Sequence, residues 1–279
     1  MLWGIFMAIA NPLNTILPAE APLKPRSARA LRLQQAGLLP ISLAGLLIAW
    51  QSLIWFKGYP AFILPPPARV WARFLQALAD GTLIRHTAIT LGESLSGLAL
   101  GLTVAAVLGY LLAQSRTIER LLAPYLVASQ SVPIVAIAPL LIIWFGSGLT
   151  SKVLICALIV FFPVLINIIV GVRSVEQDLR DLMRSLRASR WQTFVHLELP
   201  AALPMLLGGL KIGATLSVIG AVVGEFVGAD RGLGFLISAA RGQFDTALVF
   251  VAVFALVAIA MTLYGCMAML EKVLLAWKE

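Results

Sequence analysis

The chain has 279 residues, of which 60% are hydrophobic and only 12% charged, with a formal net charge of +8. Two cysteines, Cys156 and Cys266, are too few for a disulfide framework or a cysteine-built zinc cluster, and both read as small apolar core residues. The basic excess would suit nucleic acid, but its placement along the chain makes it a topology signal instead.

Leu2–Ala10 is apolar, and Ala19-Glu20-Ala21 resembles a small-x-small cleavage site. No positive charge precedes that run, and Asn11-Pro12 interrupts it, so residues 1–36 are expected to be a cytoplasmic tail rather than a cleaved signal. A helical membrane span needs about 20 mostly apolar residues. Six runs satisfy this: Leu38–Phe56, Leu91–Ala113, Ala123–Phe145, Val153–Val172, Leu203–Val227 and Ala247–Leu270. They are continuous rather than alternating, which favours helices over a barrel. The expected fold is therefore all-α, a polytopic membrane protein with six spans in one domain over residues 37–279. With the amino terminus inside, 13 of the 21 Lys and Arg residues fall in cytoplasmic segments, seven in outer ones, and Lys211 within a span. That bias places both termini in the cytoplasm.

Pro60 to Ile89 is the longest outer segment. After Leu64-Pro65-Pro66-Pro67, the residues Val70, Phe74, Leu75 and Leu78 recur at helical spacing, as for an amphipathic helix on the outer surface. In the third span Gln130 and Ser131 precede Pro133 and Pro139. The prolines either allow bending or record a fixed kink. Gly146-Ser147-Gly148 makes a tight outer turn. Polar groups at membrane depth are costly, so Gln130, Ser131, Asn167 and Glu225 are candidates, with Pro133, for a translocation path. The competing reading for Gln130, Ser131 and Asn167 is hydrogen bonding between helices. Glu225 either faces an outer vestibule or pairs with Arg231, and Lys211 snorkels toward the surface. Ala229 to Thr246 reads as the last outer loop.

Between the fourth and fifth spans the sequence turns polar. Leu179, Leu182, Met183 and Leu186 give one apolar face of a short helix, with Asp178 as its expected N-cap. Ser189-x-x-Gln192 is a capping-box pattern opening a second helix, whose apolar face is Trp191, Phe194 and Val195. Pro200 and Pro204 are expected to mark its end. On pattern alone, this is either an interfacial anchor or a docking surface for something outside the membrane.

The stretch Asp181 to Pro204 resembles the "EAA" signature of permease subunits of bacterial ABC importers. The resemblance to that family continues through Leu64-Pro65, Ser131-Val132-Pro133, Pro139, Gly208-Gly209-Leu210-Lys211, Gly224-Glu225-Phe226-Val227 and Arg231-Gly232-Leu233-Gly234. The likeness runs from about Leu64 to the end, toward the branch serving nitrate, sulfonates and taurine, thiamine precursors and riboflavin. The resemblance implies a type I importer permease, with residues 178–200 as a coupling segment. The residues meeting the ATPase would be Asp181, Leu182, Arg184, Leu186, Arg187, Ala188, Ser189, Trp191 and Pro200. It also implies three partners: an ATP-binding subunit, an extracytoplasmic solute-binding protein and a second permease copy in a homodimer, all within membrane lipid. Arg187 stands where the family usually has Gly. Either the bend avoids the left-handed conformation, or a contact made by Arg187 offsets the strain.

No Gly-x-x-x-x-Gly-Lys-[Ser/Thr], His-Glu-x-x-His or Cys-x-x-Cys pattern occurs. No catalytic residue, metal site or cofactor is therefore expected, and ATP hydrolysis is assigned to a separate subunit. Sparse charge within the spans favours a neutral vitamin or vitamin precursor, riboflavin or a thiamine pyrimidine precursor. The alternative is sulfonate, taurine or nitrate. A stand-alone secondary transporter is the alternative class, without the paired half-motifs such proteins often show.

Overall fold

A computed structural model describes residues 28–276, with side chains from Pro40 onward. The expected tail lies largely outside the described residues, as does Ala19-Glu20-Ala21. Helix α1 (Ala28–Lys57) already begins before residue 36, so the expected tail boundary is not a break in the backbone. Residues 1–57 and 58–279 form separate units. In the first, α1 is an apolar helix that carries Pro40 and ends on Lys57.

The second unit starts with α2 (Pro67–Ala79), whose leading proline suits a first helical turn. Val70 and Ala77, seven residues apart, turn inward, whereas Trp71, Leu75 and Leu78 stay exposed. Arg73 pairs with Asp245 at 2.8 Å, and Asp245 also caps the last long helix. Next come α3 (Thr82–Gln114), α4 (Arg116–Ser131), α5 (Ile134–Phe145) and α6 (Leu149–Arg173). They are followed by α7 (Gln177–Ser185), α8 (Arg190–Thr193), α9 (Leu199–Gly228), α10 (Leu233–Gly242) and α11 (Thr246–Leu274). Among the described residues all regular structure is helical. Five helices are long and apolar enough to cross a membrane, or six if α4 and α5 count as one span.

The core is α6 packed between α3 and α9, and small residues set the approach. A Cβ built on Gly220 of α9 would lie 2.7 Å from the Cys156 Cα of α6. Gly97 of α3 meets the other side of the same Cys156. Close backbone approach at glycines is how apolar helices gain contact where lipid is as apolar as leucine. Cys156 is buried as expected; Cys266 is exposed on this chain, which corrects its reading as a core residue.

Three boundaries differ from the sequence reading. First, α3 begins at Thr82 rather than Leu91, because Leu83 and Thr90 are buried and the start of α3 belongs to the packed unit. Second, the third span is two helices bent by 89° at Val132-Pro133. Proline removes a backbone donor and forces extended geometry on its predecessor; Val132 has φ −80° and ψ 120°. Third, Ala229–Thr246 is not all loop. It contains α10, which buries Leu233, Leu236 and Ala240.

Candidate functional site

The segment after α6 has the two-helix form its sequence implies. Its first N-cap is Glu176, not Asp178, which lies inside the first turn where a negative charge meets the exposed N–H groups. The helix ends in a Schellman motif. The Ala188 N–H donates to the Met183 carbonyl at 3.0 Å and the Arg187 N–H to the Arg184 carbonyl at 2.9 Å. This motif needs a left-handed residue between its last turn and the departing chain. Arg187 fills that place with φ +51°. The bend therefore adopts the conformation that glycine would adopt more easily.

Ser189 then forms the full capping box. Its hydroxyl accepts from the Gln192 N–H at 3.2 Å, and the Gln192 side chain accepts from the Ser189 N–H at 2.7 Å. Between these two stops the apolar groups point outward. Leu186 is 68% exposed and Trp191 71%, and no residue of α7 or α8 is buried. Asp181 and Arg184 pair with each other at 2.7 Å on the same surface.

Pro200 does not end the second helix. From Arg190 the helix runs without a break to Gly228, 39 residues in all. A single π turn, Phe194–Glu198, makes this possible by shifting the bonding pattern: the Leu199 N–H donates to the Phe194 carbonyl. The extra residue sits just before the proline, and Pro200 then occupies the opening of α9 where its missing donor is tolerated. Pro204 lies within α9, in its first two turns.

The π turn also aims Glu198 inward. Its carboxylate is 4% exposed and accepts from Tyr110 Oη at 3.0 Å and from Gln114 Nε2 at 3.1 Å, both on α3. It pairs with Arg180 Nη1 of α7 at 3.2 Å. Arg180 Nη2 donates in turn to the Val172 carbonyl at the end of α6, at 2.8 Å. Neither Glu198 nor Arg180 is a residue that the sequence reading singled out. A lone acid in a polar stretch is the only signal they leave.

At the opposite end of the same helices lies a second polar node. Glu225 of α9 is 2% exposed. It accepts from Thr90 Oγ1 of α3 at 2.6 Å and from the Gly234 N–H. Thr90 Oγ1 accepts from the Leu233 N–H at 2.8 Å, and His86 Nδ1 from the Gly232 N–H at 3.0 Å. The first three N–H groups around the start of α10 are thus satisfied by side chains of α3 and α9. Beside them Lys152 of α6 and Glu93 of α3 form a buried pair at 3.0 Å. Glu225 is buried within the single chain and does not pair with Arg231. Arg231 instead meets Asp230 at 3.2 Å, and Asp230's own backbone N–H, then Arg231, hold that carboxyl below its usual range.

The other expected path residues lie apart from Glu225. Gln130, Ser131 and Pro133 are exposed at the break between α4 and α5, where Ser131 Oγ donates to the Val127 carbonyl one turn back at 3.1 Å. Asn167 is half-buried against Gly209 and donates to the Pro163 carbonyl of its own helix at 2.8 Å. The structure therefore brings together Gln130, Ser131 and Pro133, but neither Asn167 nor Glu225 with them. Lys211 pairs with Glu271 of α11 at 2.6 Å. Among the described residues no group of three or more metal-ligating side chains occurs.

Comparison with known proteins gives concordant results. The family model described as "Binding-protein-dependent transport system inner membrane component" matches residues 97–275. The riboflavin transport system permease protein of Chloroflexus aurantiacus is 49% identical, over 86% of this chain and 90% of that protein. The formylaminopyrimidine transport permease protein of Halalkalibacterium halodurans is 34% identical over 84% and 93%. The taurine transport system permease protein of Escherichia coli is 35% identical over 80% and 83%. Among solved structures, a methionine ABC transporter in inward-facing form matches with a TM-score of 0.63 and 18% identity, covering 69% of this chain and 95% of that one.

Proposed function

Because this chain belongs to the family of binding-protein-dependent transport system inner membrane components, and is thus a multi-pass permease subunit of an ABC importer, we propose that its cargo is riboflavin or a chemically related vitamin precursor. Permeases of this family work with an ATP-binding subunit and a substrate-binding protein, and hydrolysis of ATP occurs in the former. The alternative of a stand-alone transporter falls with the family membership. The observation that carries the cargo assignment is the 49% identity to a riboflavin permease across 90% of its length.

In this reading both termini are cytoplasmic, which puts α7, the Arg187 bend and α8 on the ATPase side. The exposed Leu186 and Trp191 are then docking groups, and Ala188, at the head of the bend, enters the ATPase. Two permease copies form the path, with the exposed Gln130, Ser131 and Pro133 at the α4–α5 break contributing to its wall. Helix α4 has no buried residue in the single chain, as a face awaiting a second copy would. Glu225 and Asn167 serve the inside of the protomer.

Two measurements test these parts separately. Proteoliposomes carrying the permease with its ATPase and binding protein should take up labelled riboflavin when ATP is supplied. Unlabelled formylaminopyrimidine competes weakly, and taurine does not compete. Uptake of taurine with none of riboflavin would move the chain to the sulfonate branch. For docking, Ala188→Asp buries an unpaired charge in the contact, and even ~1.4 kcal/mol lowers association tenfold. The ATPase should no longer co-purify. Full recovery of ATPase would show that the segment is an interfacial anchor.

A further inference from the structure

The polar node beneath the docking segment has a geometry that packing alone does not demand. Residues 177–193 touch the outside through exposed side chains, yet they are fastened to the interior at a few polar points. Arg180, half-buried, is the fastening from α7, and it reaches two places at once: the Val172 carbonyl closing α6, and the Glu198 carboxylate. Glu198 is in turn held by Tyr110 and Gln114 on α3 and belongs to the long helix leading into α9. One carboxylate thus joins α3 and α9 directly and, through Arg180, α7 and the end of α6. A π turn is a rare and costly departure, and here it is what turns Glu198 into the chain.

We infer that Glu198 is a positioning residue that makes the docking segment and the inner ends of α3, α6 and α9 move as one body. This rests on the reading that α7 and α8 meet the ATPase. Glu198 touches no cargo and no nucleotide; it acts through Arg180. A docking segment without this tie would follow the ATPase while the spans stayed behind, so ATP would be consumed without transport. A hydrogen-bonded charge pair that is largely buried suits such a tie, because breaking it leaves a charge unpaired in a poorly solvated place.

The test uses the permease assembled with its ATPase and carrying Cys266→Ser, with spin labels at Ser185→Cys on α7 and Leu111→Cys on α3. Both labelled positions are exposed. With Glu198 present, the distance between the labels should be the same without nucleotide and with ATP plus vanadate, because both sites move together. In Glu198→Gln, which keeps the shape but loses the charge, ATP plus vanadate should shift the distance by roughly 1–5 Å, the scale of helix shifts and one-turn steps in switching proteins. Basal ATPase activity and the KM for ATP should stay unchanged. Tyr110→Phe removes one hydroxyl from the node and should give a smaller shift; it keeps the inference testable should Glu198→Gln express poorly. A merely structural role would alter both nucleotide states equally. The inference is overturned if the label distance changes with ATP plus vanadate when Glu198 is intact, or if it stays constant in both variants. Failure of the docking reading looks different: Ala188→Asp would retain the ATPase whatever the labels report.

Discussion

The two polar nodes sit on the same three helices, α3, α6 and α9, yet they are built for different ends. Around Glu225 every partner is buried or nearly so, and the acceptors are spent on backbone N–H groups of α10, which have no other way to be satisfied. Around Glu198 the partners are side chains, and one of them belongs to a helix with no buried residue. The first node closes a fold, and the second attaches a surface element to it. Burial and a backbone partner make a polar group structural. Side-chain partners on an exposed helix tie that helix to the bundle.

That contrast breaks most sharply at Gly232. Its φ of +107° lies in the region that favours glycine, and a Cβ there would overlap the Glu225 carboxylate. Gly232→Ala should displace Glu225 and cost about 2–5 kcal/mol, the sum of left-handed backbone strain and of buried hydrogen-bonding groups left without partners. Loss of monodisperse protein in detergent would register it; a normal thermal unfolding curve would show that this node is not a closure of the fold. Next comes the Lys152–Glu93 pair. Lys152→Met should destabilise by a similar ~3 kcal/mol, whereas the double variant with Glu93→Leu should recover most of the loss, since replacing a whole buried pair by apolar groups is often neutral. Thermal unfolding of the two variants decides this, and equal losses in both would mean that the pair itself, not its imbalance, holds the helices. The smallest effect is expected at the bend. Arg187→Gly removes left-handed strain and should stabilise the isolated permease by about 1 kcal/mol, read as a raised Tm. If the ATPase then binds more weakly, the arginine side chain is itself a contact, and its strain is offset across the interface.

How much of this could be read beforehand follows the range of each interaction. The Ser189–Gln192 capping box and the apolar periodicity of the spans are local, and the sequence states them directly. The break at Pro133 was legible as a proline signal, but its 89° angle was not, because the angle depends on what α5 packs against. Pro200 misled for the opposite reason: proline ends a helix unless the preceding turn is rewound, and a π turn has no sequence mark of its own. Asp178 misled by two residues, since N-cap and first-turn positions share the same preference for acids. Glu198 lies 88 residues from Tyr110 and Glu225 lies 135 from Thr90, so neither node could be read from spacing. Lys211 is the same case, with its partner 60 residues away.

The unbroken helix from Arg190 to Gly228 gives these two nodes a common axis. Glu198 and Glu225 are 27 positions apart on it, about 40 Å at 1.5 Å per residue, which is more than the ~30 Å hydrocarbon thickness of a bilayer. Such a rod is a lever arm. A tilt of about 5° pivoting at Glu198 sweeps Glu225 through roughly 3.5 Å at that length. Because Glu225 holds the start of α10, a tilt of this helix as a rigid body would carry the start of α10 with it.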